Sequence, residues 1–177
     1  MALIKLNNNS ISAVTALPSG VGGKILQVVQ SVSASETSTS SNDTVTATNL
    51  TASITPSSAS SKILINWSGT TNFSLSGTMF DFYPDFRRSI SGGATTNTIL
   101  NSAGSGVQKV YGYDNRSNGA TQFDDVRMAF TRQLLDSCNT TSAVTYTCLF
   151  SYNVSAGSNG ANGLQYNGVL TLQEVGA

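Results

Sequence analysis

The sequence contains no histidine and only two cysteines. Without an imidazole, the chain has no Ser-His-Asp or Cys-His nucleophile and no histidine acid or base near neutral pH. It also lacks the usual histidine-bearing zinc sites, and two cysteines cannot supply a four-thiolate site. An enzyme made of this chain would depend on Asp, Glu, Tyr or Lys alone. We therefore expect a protein that is not an enzyme and that holds no cofactor and no metal.

Charged residues are also scarce. Asp, Glu, Lys and Arg make up 10% of the 177 residues and leave a net charge of zero, whereas roughly 25% is usual in a soluble domain. Nucleic-acid binding needs clustered Lys and Arg to displace phosphate counterions, so nucleic acid is not an expected partner. Ser, Thr and Asn together account for 64 residues. The polar surface must therefore be built mainly from small uncharged side chains.

Long hydrophobic runs are missing as well. The apolar stretch Met1–Leu6 is followed by three asparagines and is far shorter than the central region of a signal peptide. No window approaches the roughly 18 apolar residues of a transmembrane helix. We expect a soluble protein that is made in a cytosol and does not insert into a membrane.

The order of residues favours β-structure, because β-branched and alternating segments recur while helical periodicity is nearly absent. Residues 126–135 could also form a helix, but the alternation of Val126, Met128 and Phe130 with less apolar neighbours favours a strand. Strands are predicted over residues 24–32, 44–48, 50–54, 62–67, 78–88, 96–100, 107–113, 126–135, 143–154 and 168–175. A hairpin is expected to turn near residues 41–43. Because residues 44–48 and 50–54 continue one another, these ranges correspond to about eight or nine strands, which predict an all-β domain, either an antiparallel β-sandwich or a barrel.

Residues 1–23 differ from the rest, because they hold Pro18, three glycines and one short apolar stretch without an obvious hairpin partner. We predict an extended N-terminal arm over residues 1–23, followed by one β domain over residues 24–177. The arm either docks on another subunit or partner or covers a sheet edge of its own domain. Its candidate docking residues are Leu3, Ile4, Leu6, Ile11, Val14 and Leu17.

Five segments follow one another along the chain as Met1–Leu6, Gly23–Gln30, Ser53–Ile65, Leu135–Tyr146 and Gly168–Val175. In this order they resemble a family of tailed-phage virion proteins, especially those of marine phages. The resemblance leaves out the middle of the chain, from about residue 69 to residue 125. It implies a jelly-roll-like β domain that forms a homotrimer on the virion, contacts other virion proteins and is made in the host bacterial cytoplasm.

The resemblance leaves two positions on the particle open. A fibre or spike knob would bind a host-surface glycan, whereas a capsid decoration protein would clamp neighbouring capsid subunits. A stand-alone carbohydrate-binding module is the alternative from another functional class. Within the resemblance, Cys138 stands where a turn proline is expected, and Cys148 lies in the strand that follows. If the intervening turn closes a hairpin, the two cysteines are candidates for a disulfide; the alternative is two free thiols.

Aromatic and acidic residues supply the remaining candidate sites. Phe82, Tyr83 and Phe86 could stack on a sugar ring, or they could be alternating core residues with Asp81 and Asp85 at a turn. Asp81 with Asp85, and Asp124 with Asp125, form the close carboxylate pairs. Such oxygens suit calcium, but a solvated loop is the simpler interpretation of Asp124 and Asp125.

Overall fold

The computed structural model describes residues 24–39, 44–75, 79–92, 98–99, 110–113, 124–155 and 162–176. The arm over residues 1–23, including its six candidate docking residues, lies outside these ranges. The described residues contain ten strands. They are β1 Ile25–Ser33, β2 Thr37–Thr39, β3 Thr46–Ile54, β4 Lys62–Leu75, β5 Met79–Ile90, β6 Thr98–Ile99, β7 Val110–Tyr113, β8 Asp124–Asp136, β9 Val144–Ser155 and β10 Asn162–Val175.

The strands form two antiparallel sheets. The first sheet has the order β1-β10-β4-β8, with β2 also paired to β10, and the second has the order β3-β9-β5, with β6 and β7 both paired to β5. With β2 counted as part of the β1 edge, and β6 and β7 as one position, eight strand positions remain. Numbered along the chain, the first, eighth, third and sixth positions lie side by side in the first sheet, and the second, seventh, fourth and fifth lie side by side in the second sheet. This is the strand order of a jelly roll. The predicted antiparallel β-sandwich of jelly-roll type is therefore confirmed.

Alternation along each strand places one face of each sheet in a common core. Aromatic side chains join the two sheets at its centre. Trp67 of β4 packs edge-on against Phe130 of β8, with ring centroids 4.8 Å apart, and Phe82 of β5 lies 5.0 Å from Phe130. Phe86 of β5 approaches Trp67 at 6.2 Å. Fully burying one such ring contributes roughly 1.5–3 kcal/mol, so this cluster is a main source of the attraction between the sheets.

Two hairpins expected from the sequence do not form. The turn expected near residues 41–43 lies outside the described residues, but the strands before and after it do not pair, because β2 pairs with β10 in the first sheet and β3 pairs with β9 in the second. Likewise, β8 pairs with β4 and β9 pairs with β3 and β5. Both connections cross from one sheet to the other. The error has a common cause, because a turn signal marks where a strand ends and carries no information about which sheet the next strand joins.

Two strands are longer than their apolar patterns indicated. β4 continues beyond Trp67 through a polar stretch to Leu75, and β10 begins at Asn162 rather than at Gly168. The added residues pair with each other, from Gly69 opposite Gly168 to Ser74 opposite Asn162. Backbone pairing with two neighbouring strands does not require apolar side chains, so this extension left no hydrophobic alternation to detect.

Candidate functional site

The aromatic residues proposed for glycan contact are largely inaccessible. Phe82 and Phe86 of β5 are both 0% exposed and belong to the core between the sheets. They cannot stack on a sugar ring, so this prediction is wrong for these two residues. Tyr83 points to the opposite face of β5, is half-buried and donates a hydrogen bond from its hydroxyl to Asp81 Oδ2 at 2.9 Å.

The candidate calcium carboxylates lie in strands and not in turns or loops. Asp81 and Asp85 are both inside β5, four residues apart, which separates their Cα atoms by about 13 Å along a strand. That distance is too long for the two side chains to share one cation. Asp124 and Asp125 are the first two residues of β8. Among the residues that the structure describes, no group of three or more His, Cys, Asp or Glu side chains is placed to hold a metal ion.

Both cysteines are free and buried. Cys138 follows β8 of the first sheet, whereas Cys148 lies within β9 of the second sheet and is opposite Phe86. The two residues therefore do not face each other across a hairpin. Burial raises the pKa of the Cys148 thiol well above its ordinary value, so this thiol is held in its neutral form.

A buried carboxylate near the end of the chain holds a distant turn. Glu174 of β10 is 0% exposed, and its Oε1 accepts hydrogen bonds from the Ser57 N–H at 2.8 Å and the Ser57 hydroxyl at 2.7 Å. The side-chain amide of Gln27 donates to Glu174 Oε2 at 2.8 Å. Burial by itself raises the pKa of Glu174, but the hydrogen bonds from Ser57 and Gln27 outweigh it and hold the pKa at about 2.

A second buried carboxylate joins the two sheets. Asp136, the last residue of β8, forms an ion pair with Arg88 of β5 at 2.8 Å. Its Oδ2 also accepts a hydrogen bond from the Tyr146 hydroxyl of β9 at 2.8 Å. Burial, and then the Asp136 charge, raise the pKa of Tyr146 above its ordinary value. Asp136 thus bridges from the first sheet to two strands of the second.

These two carboxylates occupy the same end of the sandwich. Asp136 and Glu174 both pair with Ile63, one from each neighbouring strand of β4. Each carboxylate is buried and accepts hydrogen bonds from side chains of this chain. Neither is therefore placed to act as an acid or base on a substrate. Neither residue stands out in the sequence as a candidate site. Glu174 continues the alternation of Leu170 and Leu172, and Asp136 continues that of Phe130 and Leu134. An acidic residue at a position that points into the core was therefore the signal in the sequence.

The outer face of the first sheet has a different character. Three successive rows of residues cross all four strands without a charged side chain, and every member is exposed or half-buried. We call these twelve residues the uncharged face. Row by row from β1 to β8, they are Val28, Gln173, Leu64, Leu135; Gln30, Thr171, Asn66, Gln133; and Val32, Val169, Ser68, Thr131.

Exposed apolar side chains concentrate on the two outer strands of this sheet. Six large hydrophobic residues of the described part of the chain are exposed, and five of them lie in β1 or β8. These five are Ile25, Leu26, Val28, Val32 and Leu135. The other sheet differs, because alternation along β5 places the half-buried charged residues Asp81 and Arg87 on its outer side. The uncharged face is therefore the described surface best suited to a protein partner.

No family model matches the chain, and no curated protein is significantly similar to it. A solved structure of infectious bursal disease virus, Gx strain, has a TM-score of 0.40 at 14% identity, over 85% of this chain and 37% of that chain. The corresponding structure of the Gt strain has a TM-score of 0.34 at 12% identity, over 86% and 38%. The present chain thus spans less than two fifths of either.

The described residues also contain no helix that is long and apolar enough to cross a membrane.

Proposed function

We propose that this chain is a non-enzymatic structural protein of a tailed-phage virion. In this proposal, the β-sandwich is displayed on the particle surface as a homotrimer, and residues 1–23 anchor it to another virion protein. The tail or head appendage role, as a fibre or spike knob that contributes to host-surface attachment, is the form we favour. The jelly-roll topology is compatible with it, since viral capsid and lectin domains use this fold.

One observation carries the proposal. Three of the segments in which the sequence resembles phage virion proteins are joined to one another in the structure. Ser57, in the segment Ser53–Ile65, bonds to Glu174, in the segment Gly168–Val175. Ile63, in the same segment as Ser57, pairs in the sheet with Asp136, in the segment Leu135–Tyr146. The resemblance therefore coincides with the contacts that hold one end of the sandwich, which is expected if the chain shares a structural scaffold with those proteins.

The buried acidic groups support a structural role over a catalytic one. Glu174 accepts hydrogen bonds from Ser57 and Gln27. Asp136 forms an ion pair with Arg88 and accepts a hydrogen bond from Tyr146. A glycosidase needs two carboxyl groups facing a substrate across a cleft. These two carboxylates instead flank Ile63 inside the sandwich, where a polysaccharide has no access.

The test is to delete residues 2–20 and measure the protein content of purified particles. We expect the full chain to be a particle component by mass spectrometry, and the shortened chain to fold but to be lost from particles. Trimeric docking would amplify the contribution of each arm through effective concentration. Absence of the full chain from particles would contradict the virion role, whereas normal incorporation of the shortened chain would place the attachment in the β domain.

Gold labelling of the incorporated protein then separates the two particle positions. Label on tails or on head appendages supports the knob, while label spread evenly over the capsid supports capsid decoration. A carbohydrate-binding module predicts a third pattern, in which the protein is absent from particles and binds glycans as a monomer.

A further inference from the structure

We propose that the uncharged face and the adjoining β1 edge form the contact surface between copies of this chain. The partner is a second copy, arranged by cyclic symmetry. This inference rests on the homotrimer of the proposed function and assigns the residues that build it.

The chemistry of the uncharged face suits contact with an identical chain. Charges that lose water in an interface are costly unless each finds a well-placed opposite charge, and these twelve positions hold none. The polar members are Ser, Thr, Asn and Gln, whose side chains both donate and accept hydrogen bonds. Gln30, for example, already donates to the Thr171 hydroxyl of the neighbouring strand at 3.2 Å. Such groups can pair with their own kind, so no complementary charged surface is required on the partner.

The β1 edge gives a second reason. β1 is nine residues long, forms one border of its sheet and contains neither a charged residue nor a proline. Proteins usually protect a long exposed edge strand with charges, prolines or a cover. Here Val28 and Val32 are 56% and 67% exposed instead. Among the described residues, no strand pairs with the outer side of β1, and a second copy that packs against this edge would cover its exposed apolar side chains.

The dimensions show that the uncharged face needs additional surface to form a stable interface. Four strands about 4.8 Å apart, crossed by three rows about 7 Å apart, define a face of roughly 300–400 Å². One partner in a standard interface buries about 800 Å², so the face alone is too small and the β1 edge must contribute. In a cyclic trimer each subunit uses two different surfaces. The β1 border with Val28 and the β8 border with Leu135 supply them at opposite sides of the same sheet.

The experiment is sedimentation velocity on the full chain at micromolar concentration, with matched glutamate substitutions. Val28→Glu and Leu135→Glu place a charge at each border of the uncharged face, at residues that are 56% and 50% exposed. Val45→Glu is the control, because Val45 is 49% exposed and lies outside this sheet. We expect the wild type and Val45→Glu to sediment as trimers. The two border variants should associate at least about 100-fold more weakly, as expected for an unpaired charge in an interface.

Circular dichroism is recorded for every variant. Gln133→Glu, which changes an exposed residue in the middle row with little change in size, replaces any border variant that loses the β-sheet signal. Trimers that persist in all variants of the uncharged face would overturn the inference while leaving the virion role intact. A monomeric wild type would overturn both this interface and the homotrimer, and incorporation into particles would then decide the virion role independently.

Discussion

Glu174 accepts two hydrogen bonds from Ser57, a residue 117 positions earlier in the chain. The last strand of the protein thereby holds the turn that connects β3 to β4. Ile63 begins the buried part of β4 after that turn and lies between Glu174 and Asp136 in the sheet. One end of the sandwich is therefore fixed by two buried carboxylates, each bonded to residues of another strand or turn.

Replacing Glu174 by Gln should destabilise the protein by about 1.5–3 kcal/mol at neutral pH, the range for hydrogen bonds to a charged group. The folded-state pKa of Glu174 is about 2, below the ordinary value of 4.5. Its contribution is therefore present above pH 4.5 and is lost as the pH falls toward 2. Urea unfolding should show the largest difference between wild type and Glu174→Gln at neutral pH, and a shrinking difference in acid.

Glu36→Gln is the matched control for Glu174→Gln. Glu36 is exposed, and a surface substitution of this kind usually changes stability by less than about 0.5 kcal/mol. Equal unfolding midpoints for wild type and Glu174→Gln at neutral pH would show that the bonds to Ser57 and Gln27 do not stabilise the fold.

Tyr146→Phe should cost about 1–3 kcal/mol, because it leaves Asp136 buried with one donor fewer. Tyr83→Phe removes a similar hydroxyl–carboxylate bond at a half-buried position and should cost less. Chemical denaturation of the two variants tests this order. If Tyr83→Phe proves the more damaging change, the Asp136 bridge is not the stronger of the two contacts.

The Tyr146 hydroxyl should also influence stability in alkali. Its folded-state pKa is raised above 10.0, first by burial and then by Asp136, so the phenol ionises more readily in the unfolded chain. The stability that it contributes is complete below pH 10 and falls as the pH rises further. Tyr146→Phe should therefore lose less stability than the wild type between neutral and strongly alkaline pH, as measured by thermal unfolding.

The two thiols should be unreactive in the native protein. Both cysteines are buried, and burial raises the pKa of Cys148 so that little thiolate is present. A thiol reagent should label neither residue at a measurable rate until denaturant is added, after which both should react. The variants Cys138→Ser and Cys148→Ser each remove one of the two labels. Rapid labelling of the native protein would show that the strand carrying the labelled residue opens readily.

Trp67→Ala should be one of the most damaging single changes, at about 3–5 kcal/mol, because it leaves a large cavity beside Phe130 and Phe86. Trp67→Phe should cost clearly less. The indole N–H of Trp67 is buried and has no hydrogen-bond partner among the described residues, so phenylalanine keeps an aromatic ring and removes an unsatisfied donor. Equal losses for the two variants, measured by urea unfolding, would contradict this account of the packing.

Local alternation was sufficient to predict most strands. The segment at residues 126–135 forms β8, as expected from Val126, Met128 and Phe130, and the apolar run at residues 62–67 lies in β4 between two neighbours. Burial of one face requires every second residue to be apolar, so this information is present in each strand separately. The partners of a strand are selected by contacts with distant segments, which is why the expected pairings of β2 with β3 and of β8 with β9 were wrong.

The sequence by itself determined the absence of histidine chemistry, the low charge and the all-β class, because these follow from composition and from residues close together in the chain. Only the tertiary structure decided which polar groups are buried and which faces stay open. Glu174 and Asp136 meet their donors across 117 and 48 positions, and the twelve residues of the uncharged face come from four separate strands. Such sets exist only once the strands are paired, since pairing brings together residues that have no local relation in the chain.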